Sequence, residues 1–329
     1  MTKLPKLPKV IKTNMPNDNL ELCEGHKIPS YGPSNESTRI CLIQTGCWGD
    51  CVNSTLMFKP IKNKYPDSII DVYTSSQYSS AFHNNPYIHK LIQFKASMKN
   101  PALHLMNLIP KVIESSGYDF IFNPHPMINP DKWESIKNNQ LGVNLICAWV
   151  RALEDNDIEY KLPLETILQL TDEEVTTVDQ FCENIPMDGR RNILMETHGE
   201  SGQTDWTPEW TKEVGEHLLD GNTNIFISRR NRCRGVEHLQ NISEDNIWFA
   251  GKLSIRECAE LFNRCDIFFS VSSGLSNACS TNWCKNDIVW VESTNSQGCS
   301  SFPLRSEGKL FWHDRSVIDL IEMLKDNNI

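Results

Sequence analysis

No stretch of this chain approaches the ~20 consecutive apolar residues of a membrane span. The opening MTKLPKLPKV also lacks the apolar core of a signal peptide, so a cytoplasmic protein without a transmembrane segment is expected. Positive charge is scarce. Lys and Arg number 32 against 42 Asp and Glu, a net charge of -10. That disfavours nucleic-acid or membrane-surface partners unless a local basic patch overrides it. Paired cysteines are missing too: the chain has 12 cysteines but no C-x-x-C. The nearest pairs, Cys47/Cys51 and Cys279/Cys284, stand without a second pair, and Cys41, Cys147 and Cys265 lie in apolar runs, where a thiol packs as a small hydrophobe. No metal site or metal cofactor is expected. The G-x-x-x-x-G-K-[ST] phosphate loop, H-E-x-x-H, the G-x-S-x-G elbow and the G-x-G-x-x-G dinucleotide turn are all absent.

What the chain does have is alternation of strand-like and helix-like segments. At 329 residues it has room for two domains of roughly 150 residues each. Residues 1–37 are polar, carry five prolines and hold no sustained periodicity, which predicts an extended arm with a short element near Leu20–Cys23. RICLIQTG, from Arg39, predicts a strand buried on both faces. A helix over 51–64 should kink or split at Pro60. Strands are expected at 68–74, 88–94 and 118–122, with helices at 75–82, 103–114, around Trp133 and at 141–153. The acidic stretch 154–189 predicts a boundary: domain one over 38–170, a linker region at 171–190 holding one helix, and domain two over 191–313. Strands at 191–197, 224–228, 247–250, 265–269, 288–291 and 310–312 alternate there with helices at 208–219, 254–262 and near Leu275. A final helix within 314–329 closes the chain, with packing back on the first domain as one option. The pattern is α/β, doubly wound, twice over.

Four polar turns follow buried strands, at the edge where open parallel sheets bind ligands. After the first strand comes Gly46-Cys47-Trp48-Gly49-Asp50: two glycines make an open turn, and Asp50 falls at a helix start. It can cap that helix, or it can be a carboxylate placed to take a proton from a hydroxyl. THGESGQTDW offers Thr197, Ser201, Gly202 and Thr204 as amide and hydroxyl donors for a phosphate, or is a plain loop. SRRNRCR carries Arg229, Arg230, Arg232 and Arg234, which suit anion recognition or a solvated basic surface. The stretch SVSSGLSNACSTNWCKN places Ser272, Ser273 and Gly274 ahead of a helix at Leu275. It is either an ordinary serine-capped connection or an anion-binding turn. Asp155-Asn156-Asp157 matches a D-x-D metal pattern, but no buried strand precedes it.

The run RICLIQTGCWGD, with Tyr65-Pro66-Asp67 and Asn85-Pro86-Tyr87 after it, resembles the opening of the heptosyltransferase family, glycosyltransferase family 9. SVSSGLSNA resembles that family's second signature, and WTPEWTKEV the start of its donor-domain helix; together the similarity spans most of 38–325. The resemblance implies a GT-B fold, two Rossmann-like doubly wound domains facing a central cleft, the first binding an acceptor and the second a nucleotide-sugar donor. It implies inverting, metal-independent transfer to a hydroxyl of a glycan, with Asp50 as general base. Gly46, Trp48, Gly49 and His125 would line the acceptor side. Thr197, Ser201, Gly202, Thr204, Arg229, Arg230, Ser272, Ser273, Gly274, Leu275 and Asn277 would line the donor side. The chain departs from the pattern at Ser272, where the family has an acid, and at Asn277, where it has a histidine. Thr204 and Asp205 stand where a phosphate-binding lysine is expected. These departures leave ADP-heptose open as donor. A non-catalytic scaffold and a DNA-base glycosyltransferase are the other classes.

Overall fold

The structure is a computed structural model that describes residues 21–32, 37–95, 109, 113–114, 116–123, 145–161, 164–199, 206–228, 234–291 and 316–326. The helices expected at 103–114 and around Trp133 and the strand expected at Leu310–Trp312 lie wholly or largely outside them. The chain divides into two units, Met1–Leu164 and Glu165–Ile329.

In the first unit four parallel strands run β1 (Arg39–Ile43), β2 (Ile69–Ser75), β3 (Lys90–Phe94) and β4 (Phe120–Phe122), in spatial order β3-β2-β1-β4. Central β1 buries Ile40, Cys41, Leu42 and Ile43 completely, as its unbroken apolar run requires. The helix expected over 51–64 is split, as expected, but ahead of Pro60: α1 (Trp48–Ser54) and α2 (Phe58–Lys64) are joined by a 3₁₀ turn at Thr55–Met57. Pro60 falls in the first turn of α2, where its missing N–H costs no intrahelical bond. The segment expected as a helix at 75–82 is a 3₁₀ turn over Ser79–Phe82. Helix α3 (Leu145–Glu154) ends in the Asp155-Asn156-Asp157 turn. There the Lys64 ammonium donates to the carbonyls of Asn156 and Asp157, at 3.0 and 2.7 Å, so D-x-D serves a helix end.

The arm has a defined course where it is described. Leu22 bridges antiparallel to Phe94, and Cys23 N–H donates to the Gln93 carbonyl, so the arm lies along β3. Tyr31 then donates its hydroxyl to Asp71 at 2.5 Å, and Tyr118 donates to the same carboxylate at 2.7 Å. Asp71 is fully buried on β2, with His89 Nδ1 3.1 Å from its other oxygen. A buried carboxylate needs such partners.

The second unit has five parallel strands, β5 (Arg191–Glu196), β6 (Thr223–Ile227), β7 (Ile247–Phe249), β8 (Ile267–Val271) and β9 (Asp287–Val291), in order β7-β6-β5-β8-β9. The stretch expected to be a linker belongs to this unit. Helix α4 (Asp172–Cys182) starts on a Thr171/Glu174 capping box, and Glu174 also receives the buried Arg256 guanidinium at 2.5 and 2.8 Å. Helix α5 (Pro208–Leu218) has Thr207 as N-cap and Pro208 at its first position, and α6 (Val236–Ile242) packs closely on it. A Cβ on Gly215 would stand 2.3 Å from Leu239. Helix α7 (Ile255–Asn263) carries Arg256 and uses the Ser254/Glu257 capping box expected from its S-x-x-E. Helix α8 (Gly274–Cys279) follows β8, and α9 (Val317–Asp326) ends the described chain. Val317, Leu320 and Leu324 bury in the second unit's core with Val214, Leu218 and Ile225. An apolar face at helical spacing settles on the nearest apolar layer, here that of its own sheet.

Candidate functional site

Both sheets reverse their winding at a definable place. In the first, β1 lies between β2 and β4; in the second, β5 lies between β6 and β8. The carboxyl ends of β1, β5 and β8 are therefore at switch points, where doubly wound sheets take ligands.

Beyond β1 the chain makes a tight cage. Gln44, fully buried, accepts the Gly46 N–H on Oε1 at 2.8 Å and donates Nε2 to the Asp50 carbonyl at 3.2 Å. Cys47 N–H donates to Asp50 Oδ2 at 2.9 Å. Asp50 is the third residue of α1, so it does cap the helix, in a box with Cys47. Its surface is half-buried. Burial pushes its pKa up to about 6, against the lowering effect of the Cys47 amide. Gly46 is required here: a Cβ would stand 2.6 Å from Asp50 Oδ2 and 3.0 Å from Gln44 Oε1. Cys51, next in the helix, is no nucleophile, because burial and then the Asp50 charge push its thiol up.

Two acceptor-side candidates, Trp48 and Gly49, are buried in the turn. Trp48 is 6% exposed and spends its indole N–H on Ser80 Oγ at 2.9 Å, so it braces the turn instead of offering a ring to a ligand. Gly49 is buried in the helix start. His125 lies outside the described residues.

In the second unit the turn after β8 is also a capping box. Ser273 Oγ accepts the Ser276 N–H at 3.1 Å, and Ser273 N–H donates to Ser276 Oγ at 2.9 Å. The Ser273 hydroxyl donates in turn to Glu196, the buried last residue of β5, whose other oxygen receives Ser228 Oγ at 3.4 Å. Asn277 folds its Nδ2 back on the Ser273 carbonyl at 2.8 Å. The amide braces the turn from within, because an asparagine four residues past the N-cap reaches its carbonyl. Ser272 is buried. Among the described residues, the first-turn amides left to meet a ligand are those of Gly274 and Leu275.

Thr197 is also committed. It is fully buried, and its hydroxyl accepts the Arg234 N–H at 2.9 Å, tying the end of β5 to the loop after β6. Arg234 itself donates to the Trp206 carbonyl at 2.8 Å. Of the four arginines in SRRNRCR, it is the one described, and it serves the fold. Arg229, Arg230, Ser201, Gly202 and Thr204 lie outside the described residues. Among the described residues, no three His, Cys, Asp or Glu side chains gather as a metal-binding group, and no helix is long and apolar enough to cross a membrane. Gln44 and Glu196 are the residues that sequence reasoning missed. Each is a polar residue at the end of an otherwise apolar strand run, ICLIQ and ILME, and that is the signal that marks them.

Two Rossmann-like α/β units of this kind define the GT-B class. Several solved structures share this fold. The glycosyl transferase family 9 structure from Veillonella parvula superposes with a TM-score of 0.65 at 15% identity, covering 92% of this chain and 91% of its own. The E. coli ADP-heptose LPS heptosyltransferase II gives 0.62 at 14%, with coverage of 88% and 98%. An E. coli heptosyltransferase solved with ADP gives 0.56 at 12%, with coverage of 88% and 100%. The fold is thus heptosyltransferase-like. No family model matches the sequence, and no curated protein does.

Proposed function

We propose that this protein is a glycosyltransferase that moves a sugar from a nucleotide-sugar donor to a hydroxyl of a saccharide or lipopolysaccharide-type glycan, in the cytoplasm. Asp50 is its general base. It takes the acceptor proton as the acceptor oxygen attacks the anomeric carbon and the nucleoside diphosphate leaves, so the sugar inverts in one displacement. No metal is needed in this scheme: backbone amides and cationic groups receive the leaving charge.

One observation carries the reading. Asp50 is a half-buried carboxylate at the switch point of the first sheet, held by the Cys47 amide with its pKa near 6. A base is most effective when its pKa lies close to the working pH. The second unit supplies the donor side through the Gly274 and Leu275 amides, and Arg229 and Arg230 add charge. Neighbours solved with ADP support a nucleotide in that role.

The experiment is a nucleotide-sugar panel read by thermal shift, then by slow donor hydrolysis in wild type and Asp50→Asn. We expect one donor to stabilise the protein, chelator to leave turnover unchanged, and Asp50→Asn to cut turnover by about 10²–10⁴-fold. An Asp50→Asn protein as active as wild type sinks the base assignment. A donor response without turnover in either protein turns the reading to a nucleotide-sugar-binding scaffold. Salt-sensitive retention of DNA would point to the DNA-base alternative.

A further inference from the structure

We propose that Gln44 is the positioning residue of the first unit's site: its carboxamide fixes where the Asp50 carboxylate stands by holding both ends of the turn that carries it. The inference rests on Asp50 acting as base.

The side chain reaches two points at once. Oε1 takes the Gly46 N–H at 2.8 Å, near the start of the turn, and Nε2 gives to the Asp50 carbonyl at 3.2 Å, at the helix end of it. Its own backbone N–H is spent on the Tyr73 carbonyl at 2.9 Å, so residue 44 is anchored to β2 and cannot drift. Between its oxygen and Asp50 Oδ2 lies the empty Cβ position of Gly46, 3.0 Å from the first and 2.6 Å from the second. A turn this crowded has little slack. Only a side chain with one acceptor and one donor on the same short stem fits both bonds, and Gln44 sits fully buried where no water can substitute for either. A bare strand-closing role would need only one of those bonds.

Among the described residues, Cys47 and Cys51 of its own turn and helix face Asp50, and Cys51 meets the uncharged Thr74 of β2 at 3.9 Å. Ser80 of the 3₁₀ turn holds Trp48 and is likewise uncharged. Burial raises the Asp50 pKa and the Cys47 amide lowers it.

The test uses Gln44→Glu and Gln44→Leu in the full chain, with two readouts: the Asp50 titration midpoint followed by carbon NMR, and kcat against KM for the donor. Gln44→Glu is nearly isosteric, keeps the acceptor for Gly46 and sets a like charge within the about 4–6 Å over which charges shift a pKa. We expect its Asp50 midpoint about one unit higher. Gln44→Leu loses both bonds, and we expect kcat about 10²-fold lower, the size of effect a 1 Å misplacement brings, with donor KM unchanged. A wild-type midpoint in Gln44→Glu, or an unchanged kcat in folded Gln44→Leu, overturns the proposal. Should Gln44→Leu fail to fold, the Gln44→Glu midpoint decides alone. Failure of the base reading is separate: it shows as activity surviving in Asp50→Asn, whatever the NMR midpoint does.

Discussion

The two ligand-edge turns of this protein are built on the same device and spend it differently. Both follow a central parallel strand, and both start a short helix through a capping box, Cys47 with Asp50 in the first unit and Ser273 with Ser276 in the second. In the first, the capping acid keeps a half-exposed carboxylate whose proton burial holds more tightly than usual, so that it leaves only near pH 6. In the second, hydroxyl and amide side chains turn inward, Ser273 to Glu196 and Asn277 to the Ser273 carbonyl. What remains for a ligand there is backbone. The lesson is that a cap can leave its charge available or consume its polar atoms, and residue type does not say which.

That contrast can be broken by substitution. The largest effect belongs to Asp50→Asn, which still accepts the Cys47 N–H yet cannot take a proton. Turnover should fall about 10²–10⁴-fold while circular dichroism and melting stay near wild type. A collapse of the fold instead would make Asp50 a cap and nothing more.

The same group sets a pH dependence. Wild-type turnover should rise through about pH 6 as Asp50 ionises. Stability should move the other way: the folded chain keeps a proton that the unfolded chain has released. Stability therefore declines as pH rises from the ordinary carboxylate value, about 3.9, to the folded value and then levels. Urea melts of wild type and Asp50→Asn across pH 4–8 check this, since the mutant should lack the slope.

Next in size is the pair of glycines. Gly46→Ala must push a Cβ into the Asp50 carboxylate, and overpacking of this kind costs about 1–3 kcal/mol. Gly274→Ala, at the first position of α8, should gain a few tenths to about 1 kcal/mol from helix propensity while weakening donor binding. Equal melting points for the two would erase the distinction between the turns. Smallest is Ser273→Ala, which removes the α8 cap and one Glu196 partner; a loss of about 1 kcal/mol is expected by chemical denaturation.

Much of this architecture was legible in the chain. RICLI, IIDVYTS and NIFIS announce buried parallel strands, and T-P-E at Thr207 and S-x-x-E at Ser254 announce helix starts that the structure has. The β-α alternation read from them, and the resemblance to heptosyltransferases, agree with the solved neighbours. Asp50 was legible as a candidate because an acid at a helix start just past a buried strand either caps the helix or faces a ligand, and here it does cap, with Cys47. The roles of Trp48, Thr197 and Asn277 were not. Each looks outward on paper and points inward in space, because a polar atom bonds whichever neighbour its backbone brings close, and that neighbour (Ser80, Arg234, Ser273) is set by the tertiary fold or by the helix turn. The acidic stretch before Gly189 looked like a tether for the same reason. Its helix is held by Arg256, 82 residues away from Glu174, which no local pattern reveals.

The arm before β1 brings a further consequence, for anyone shortening the chain. With Leu22 and Cys23 bonded to β3, that strand's outer row of amides and carbonyls is partly satisfied by residues outside the winding. With Tyr31 donating to Asp71, the arm also supplies one of the hydrogen bonds that satisfy a carboxyl buried in the sheet. A protein begun at Thr38 would therefore open an edge and orphan part of a buried carboxylate together, the combination that invites strand-to-strand association. Light scattering of that shortened form should show aggregates at concentrations where the full chain stays dispersed, and a clear solution would mean the arm is merely carried along.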